Sequence, residues 1–128
     1  MPVDQLQHVN IRCEDVHRSR DFYVNTLGLR EGERPPFASV GYWLYLGQVP
    51  VIHLVQRTPE ETATPRGGGA IDHVAFGGVV LDATRTRLCA AAIPFQEAVV
   101  PRDRTVQLFV LDPDGLKIEL NFEAAHPG

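Results

Sequence analysis

Three histidines and one glutamate carry the most organised chemistry in this sequence: His8, His53, His73 and Glu119. Neutral imidazole and carboxylate are the ordinary ligands of zinc, nickel, iron and manganese in enzymes. The four residues lie in segments of similar character, LQHVNI, VIHLV, IDHVAF and KIELNF, and the interval from 8 to 53 is one residue shorter than that from 73 to 119. A single histidine in a strand is usually a hydrogen-bonded structural residue. Here three histidines occupy repeated positions and Glu119 holds the fourth, so the set is expected to converge on one metal ion. A buried glutamate is rare unless paired or coordinated, and its competing partners are Arg12 and Lys117. His17 and His126 are expected to be exposed and without a role.

The elements that must position these residues follow from the same repeat. Each half reads β-α-β-β-β, with one candidate ligand in its opening strand and one in its closing strand. The fold class is α+β, two βαβββ modules forming a curved mixed sheet, in one domain of residues 1–128. Module 1 covers about 1–57, a Thr-, Pro-, Glu- and Gly-rich linker 58–69, and module 2 about 70–122. Neither half alone is expected to bury enough surface to stand by itself.

Helices are expected from Asp15 to Leu27 and from Leu81 to Ala92, capped by Asp15 and Asp82 and ended near Gly28 and Pro94, with Leu88 and Ala92 turned inward. Strands are expected near 29–34, 41–47, 50–56, 95–100, 105–111 and 116–122, besides the two opening strands. Pro113, Asp114 and Gly115 signal a hairpin turn. Residues two apart in a strand share a face. Ile118, Leu120 and Phe122 therefore oppose Lys117, Glu119 and Asn121, and Val9, Ile11 and Cys13 oppose His8, Asn10 and Arg12. Likewise Ile52 and Leu54 oppose Val51, His53 and Val55. With the apolar sets beneath the helices, all four ligands would face the concave side.

Composition narrows the partners. A chain of 128 residues with net charge −4 offers no general attraction for nucleic acid, and no apolar run approaches the roughly 20 residues of a membrane span. The opening MPVDQLQHVN has neither the basic nor the apolar region of a secretory signal, so a cytoplasmic protein is expected. Cys13 and Cys89 are expected to be reduced core residues. Trp43, Tyr45, Phe37 and Phe95 could line an apolar pocket, or equally serve the core or a dimer interface.

DFYVNTLG at Asp21–Gly28 and LDPDGLKIEL at Leu111–Leu120 resemble the first-helix and closing-hairpin motifs of the glyoxalase I, bleomycin resistance and extradiol dioxygenase superfamily, also called vicinal oxygen chelate (VOC) proteins. The resemblance covers nearly the whole chain. It implies one divalent metal ion (Ni, Zn, Mn, Fe or Co) held by His8, His53, His73 and Glu119, and a homodimer whose metal cup is completed by halves of two subunits. The position of His53 is normally Glu in bacterial glyoxalase I. Arg12 matches an arginine that binds the glutathione carboxylate there, whereas Arg57 stands where that enzyme usually has Asn, which argues against glutathione as the thiol. Arg12 and Arg57, at those matched positions, and Trp43, as a candidate pocket aromatic, are the expected substrate-binding residues.

The superfamily's common device is a metal that stabilises an enolate or similar oxyanion as it develops. The resemblance implies a metal-dependent, glyoxalase I-like lyase or isomerase acting on a small oxygen-chelating substrate. Glu119 would shuttle the proton, and His53, in place of a carboxylate, would leave the metal a stronger Lewis acid. It also removes the second base that an epimerase would use. Extradiol ring cleavage uses two histidines and a carboxylate, matching His8, His73 and Glu119, but no further His or Tyr lies between His73 and Glu119. Fosfomycin-type thiol transfer, with Arg102 and Arg104 on the phosphonate, and metal-free drug sequestration of the bleomycin resistance kind complete the alternatives.

Overall fold

The computed structural model describes residues 2–61 and 65–123, in two compact units comprising residues 1–64 and 65–128. In the first unit β1 (Val9–Cys13) leads into α1 (Val16–Asp21), followed by β2 (Arg30–Gly32), β3 (Gly41–Leu46) and β4 (Val49–Gln56). Its four-stranded sheet runs β1-β4-β3-β2, with β1 parallel to β4 and the other pairs antiparallel. The second unit holds β5 (His73–Gly78), α2 (Leu81–Ala90), β6 (Gln96–Val99), β7 (Val106–Leu111) and β8 (Lys117–Phe122). Its sheet runs β5-β8-β7-β6, again with the outer opening strand parallel to the closing one. The repeated β-α-β-β-β order is the one the sequence predicts. Within each unit a parallel pair demands a long crossover, which the helix and the two middle strands supply.

Alternation sorts the faces as expected. In the first unit Ile11, Cys13, Leu44, Ile52 and Leu54 are buried together with Val16, Phe22 and Tyr23 of the helical segment, and α1 packs against β1, β3 and β4. In the second unit Leu108, Val110, Ile118, Leu120 and Phe122 are buried with Leu88. Each such large apolar side chain contributes on the order of 1.5–3 kcal/mol on burial. The opposite face of β8 carries Lys117, Glu119 and Asn121, all half-buried.

The Asp15 carboxylate caps α1, accepting from the N–H groups of His17 at 3.1 Å and Arg18 at 3.3 Å. Beyond Asp21 the helix widens into a π-helical turn at Phe22–Thr26, and Gly28 follows at φ 87°. In the β7–β8 hairpin Asp112 Oδ1 accepts from the N–H groups of Asp114 and Leu116, both at 2.9 Å, and Gly115 takes the left-handed conformation the turn requires at φ 83°.

Several expectations are corrected. The N-cap of α2 is Val80, with no side-chain cap bond; Asp82 lies inside the first turn and pairs with Arg85 at 2.8 Å. The helix stops at Ala90, and Ala92 is exposed with φ 55°, because a left-handed residue cannot continue a right-handed helix. Only Leu88 of α2 is buried, so Cys89 is exposed rather than core; Cys13 is buried, and neither cysteine is in a disulfide. β1 starts at Val9, leaving His8 just before the strand. The strand expected at 29–34 contracts to Arg30–Gly32 and that at 95–100 to Gln96–Val99. His126 and linker positions Thr62, Ala63 and Thr64 lie outside the described residues. No helix among the described residues is long and apolar enough to cross a membrane.

Candidate functional site

Each unit brings two of the four candidate ligands together at its parallel strand pair, His8 standing just before β1. In the first, Asn10 is opposite His53 in the β1–β4 register, so His8 precedes that partner by two residues. In the second, His73 is opposite Lys117, and Glu119 follows by two residues on β8. The stagger between the paired candidates is therefore the same in both units. Among the described residues, no group of three or more His, Cys, Asp or Glu side chains is gathered as a metal-holding cluster.

The first pair is aromatic, with His8 exposed and His53 buried. His8 and His53 rings lie 3.8 Å apart and within 8° of parallel. On its other side His53 stacks on Trp43, at 4.1 Å and 15°, because Trp43 is directly opposite it on β3. His53 is 8% exposed. Its Nε2 lies 3.1 Å from the Pro50 carbonyl, which can only accept; Nε2 therefore carries the proton and Nδ1 keeps the lone pair. Burial holds the His53 pKa below the usual histidine range, with His8 and Arg34 acting in the same direction and the Pro50 hydrogen bond opposing them. The neutral ring is the form a metal takes.

The second pair is polar and tethered. His73 Nε2 is 3.6 Å from Glu119 Oε1, while Nδ1 is 2.8 Å from Asp72 Oδ2. Lys117 Nζ donates to the same Asp72 oxygen at 3.0 Å. Hydrogen bonding from His73 first, and from Lys117 second, holds the Asp72 pKa below the usual carboxylate range. Asn121 Nδ2 donates to Glu119 Oε2 at 2.8 Å, and Gln107 Nε2 donates to Asn121 Oδ1 at 3.1 Å. Carboxylate support behind a histidine, and an amide behind a ligating carboxylate, are the usual means by which a metal site fixes its ligands.

These donors suit a divalent metal in kind. Two ligand atoms each roughly 2.1 Å from a tetrahedral ion lie roughly 3.4 Å apart, close to the His73–Glu119 spacing. Imidazole lone pairs lie in the ring plane, so the parallel His8 and His53 rings do not aim at one point. One ring must turn before both can bind.

The remaining predicted residues are placed as follows. Arg12 forms an ion pair with Glu61 through Nε and Nη2, so neither Arg12 nor Lys117 is the partner of Glu119. Chiefly through this hydrogen bonding from Arg12, the Glu61 pKa is lowered to about 2. Arg57 Nε donates to the Arg12 carbonyl at 3.1 Å. Arg102 and Arg104 are exposed. Tyr45 donates to the Glu33 carbonyl at 2.6 Å, and Phe37, 55% exposed, tilts against Trp43 at 6.3 Å. Phe95 lines a pocket of about 340 Å³ in the second unit with Ile93, Phe109 and Leu111. His17 is exposed but not idle, since its Nδ1 lies 2.6 Å from the Tyr42 hydroxyl. Sequence reasoning missed Asp72, Gln107 and Arg34. An acidic residue directly before His73 was the available signal for the first.

Residues 5–120 match the Glyoxalase/Bleomycin resistance protein/Dioxygenase superfamily, and the chain belongs to it. It is 33% identical over 125 residues to the lactoylglutathione lyase of Salmonella typhimurium strain LT2, covering 91% of this chain and 90% of that one. It is 31% identical over 124 residues to "Glyoxylase I 4" of Arabidopsis thaliana, covering 90% and 68%. The solved glyoxylase/bleomycin resistance protein/dioxygenase domain from Frankia sp. EAN1pec shares the fold with a TM-score of 0.73 at 20% identity, over 95% of this chain and 99% of that one.

Proposed function

We propose that the protein is a divalent-metal-dependent, glyoxalase I-like lyase or isomerase acting on a small oxygen-chelating substrate. One observation carries the reading: both units set two candidate ligand side chains on, or directly before, adjacent parallel strands with the same two-residue stagger, and one of the pairs already stands at ligand-to-ligand distance. The names of the lactoylglutathione lyase relatives support the reaction class. In this reading residues 1–128 act as one domain, and a homodimer completes the cup, with His8 and His53 of one copy meeting His73 and Glu119 of the other.

The metal, when bound, acts as a Lewis acid toward substrate oxygens. Glu119, with Oε1 released from the metal, would take a proton from the carbon next to the carbonyl and return it to the neighbouring carbon, while Asn121 holds Oε2. Asp72 keeps the His73 proton on Nδ1 and its lone pair on Nε2. His53 contributes a neutral donor in place of a second carboxylate, so one carboxylate and three imidazoles leave a divalent ion with net positive charge. Trp43 offers a flat apolar wall beside His53, and Arg12 takes a substrate anion only by releasing Glu61.

Metal analysis of protein purified without a histidine tag, followed by assay with methylglyoxal and several thiols, tests the reading. Stoichiometric metal and thiol-dependent turnover are expected. Metal-free protein that refuses added nickel, zinc, manganese, iron and cobalt would reject it; turnover of catechols or fosfomycin instead would replace the lyase by a dioxygenase or a thiol transferase.

A further inference from the structure

The loop between β2 and β3 holds an arginine that is fixed but incompletely satisfied. Arg34 Nη1 donates to the Ser39 carbonyl at 2.9 Å and Nη2 to Ser39 Oγ at 3.0 Å. The guanidinium lies against Gly41, where a Cβ would come within 2.9 Å of Nη2 and 3.1 Å of Cζ. Its other neighbour is the Phe37 ring, 5.1 Å from Cζ to the ring centroid. Arg34 Nε is buried without a partner, the one such side-chain atom among the described residues. A buried donor on a charged group is costly to leave unpaired, and such an atom in a folded protein calls for a reason.

The surroundings supply one. Arg34, Phe37, Trp43, His53 and His8 form a continuous run of flat groups, each against the next, so the guanidinium stands at the far end of the stack that holds the candidate metal ligand His53. Phe37, more than half exposed, lies over the guanidinium. Swinging it aside would uncover that face of the guanidinium, with Trp43 next along the run. A planar guanidinium suits a carboxylate through charge-assisted hydrogen bonds, and the wall suits a flat apolar body.

We propose that Arg34 is a substrate-binding residue that accepts the carboxylate of an aryl or similarly flat organic acid, with Phe37 moving off the guanidinium and the body of the ligand resting on Trp43. The assignment rests on the His53 pair belonging to the active site, but the subsite itself needs no metal.

Trp43 is the only tryptophan, so its fluorescence reports this place alone. EDTA-treated protein is titrated with benzoate and with its neutral counterpart benzamide. Benzoate is expected to change the emission saturably and to bind at least about tenfold more tightly than benzamide, the range of one charge-assisted hydrogen bond. Arg34→Gln is expected to remove that difference. Arg34→Lys is expected to leave most of it missing, because an amine keeps the charge but not the Nε–H. Equal affinity for the two probes in the unmodified protein, or no saturable change, overturns the proposal without recourse to any variant; so does an Arg34→Gln protein with unchanged circular dichroism that still prefers benzoate. Failure of metal uptake leaves these titrations intact, and failure of the titrations leaves metal uptake intact, so the two readings fall separately.

Discussion

The two units share an element order, a sheet order and a ligand stagger, yet they hold their candidate ligands by opposite means. The first stacks them: His8 on His53 and His53 on Trp43, with burial lowering the His53 pKa. The second tethers them: Asp72 behind His73, and Asn121 with Gln107 behind Glu119. His53 and His8 are hydrogen-bonded as well, to the Pro50 carbonyl and to Gln7 Oε1, but their parallel rings do not aim two lone pairs at one point, whereas His73 and Glu119 already stand at ligand-to-ligand distance. The second unit is therefore pre-arranged for a cation, and the first must rearrange.

That contrast can be tested in order of effect. Truncating a tethered ligand should do most: His73→Ala or Glu119→Ala is expected to abolish stoichiometric metal binding while circular dichroism shows a folded protein. Metal content unchanged in both variants would remove the site. Loosening a tether should do less. Asp72→Asn is expected to weaken metal affinity by about 10–100-fold, the usual cost of losing such support, as read by competition with a chromophoric chelator. Loosening the stack should do least to the metal, because the rings must separate in any case: Trp43→Leu is expected to change affinity by less than about tenfold, and a loss as large as that of Asp72→Asn would show the stack to be part of the coordination geometry.

The smallest effect concerns acid. Because the Glu61 pKa is depressed by folding, its ion pair with Arg12 contributes fully above the ordinary carboxylate pKa and is lost as pH falls through about 2. The pair is exposed, so no large stability change is expected. The sign is nonetheless readable: NMR titration of the Glu61 carboxyl should give a midpoint near 2, returning toward the ordinary glutamate value in Arg12→Gln. An ordinary midpoint in the unmodified protein would show Arg12 free for a substrate anion without competition from Glu61.

Much of this was legible beforehand. Alternation in KIELNF placed Glu119 and Asn121 together opposite Ile118, Leu120 and Phe122, because the strand period is two whatever the strand's neighbours are. Asp15 read correctly as a cap. Asp82 did not, because both aspartates precede apolar residues and only the backbone angles decide which one stands outside the first turn. Asp72 escaped notice because adjacent residues in an extended segment point apart; its contact with His73 depends on side-chain rotamers at the start of β5, where the alternation is not yet imposed.

The chemical inventory and its periodicity were determined by sequence alone: which residues can bind a metal, that they recur in two halves, and which strand face each occupies. Those are local properties, set by residue type and by the two-residue repeat of extended backbone. The partners of each ligand were decided by tertiary structure. Trp43 meets His53 only through the β3–β4 register, Arg12 meets Glu61 across many intervening residues, and the unsatisfied Nε of Arg34 exists only because Gly41, Phe37 and Ser39 close around it. Such contacts depend on the alignment of separate strands and loops, and no window of sequence contains that information.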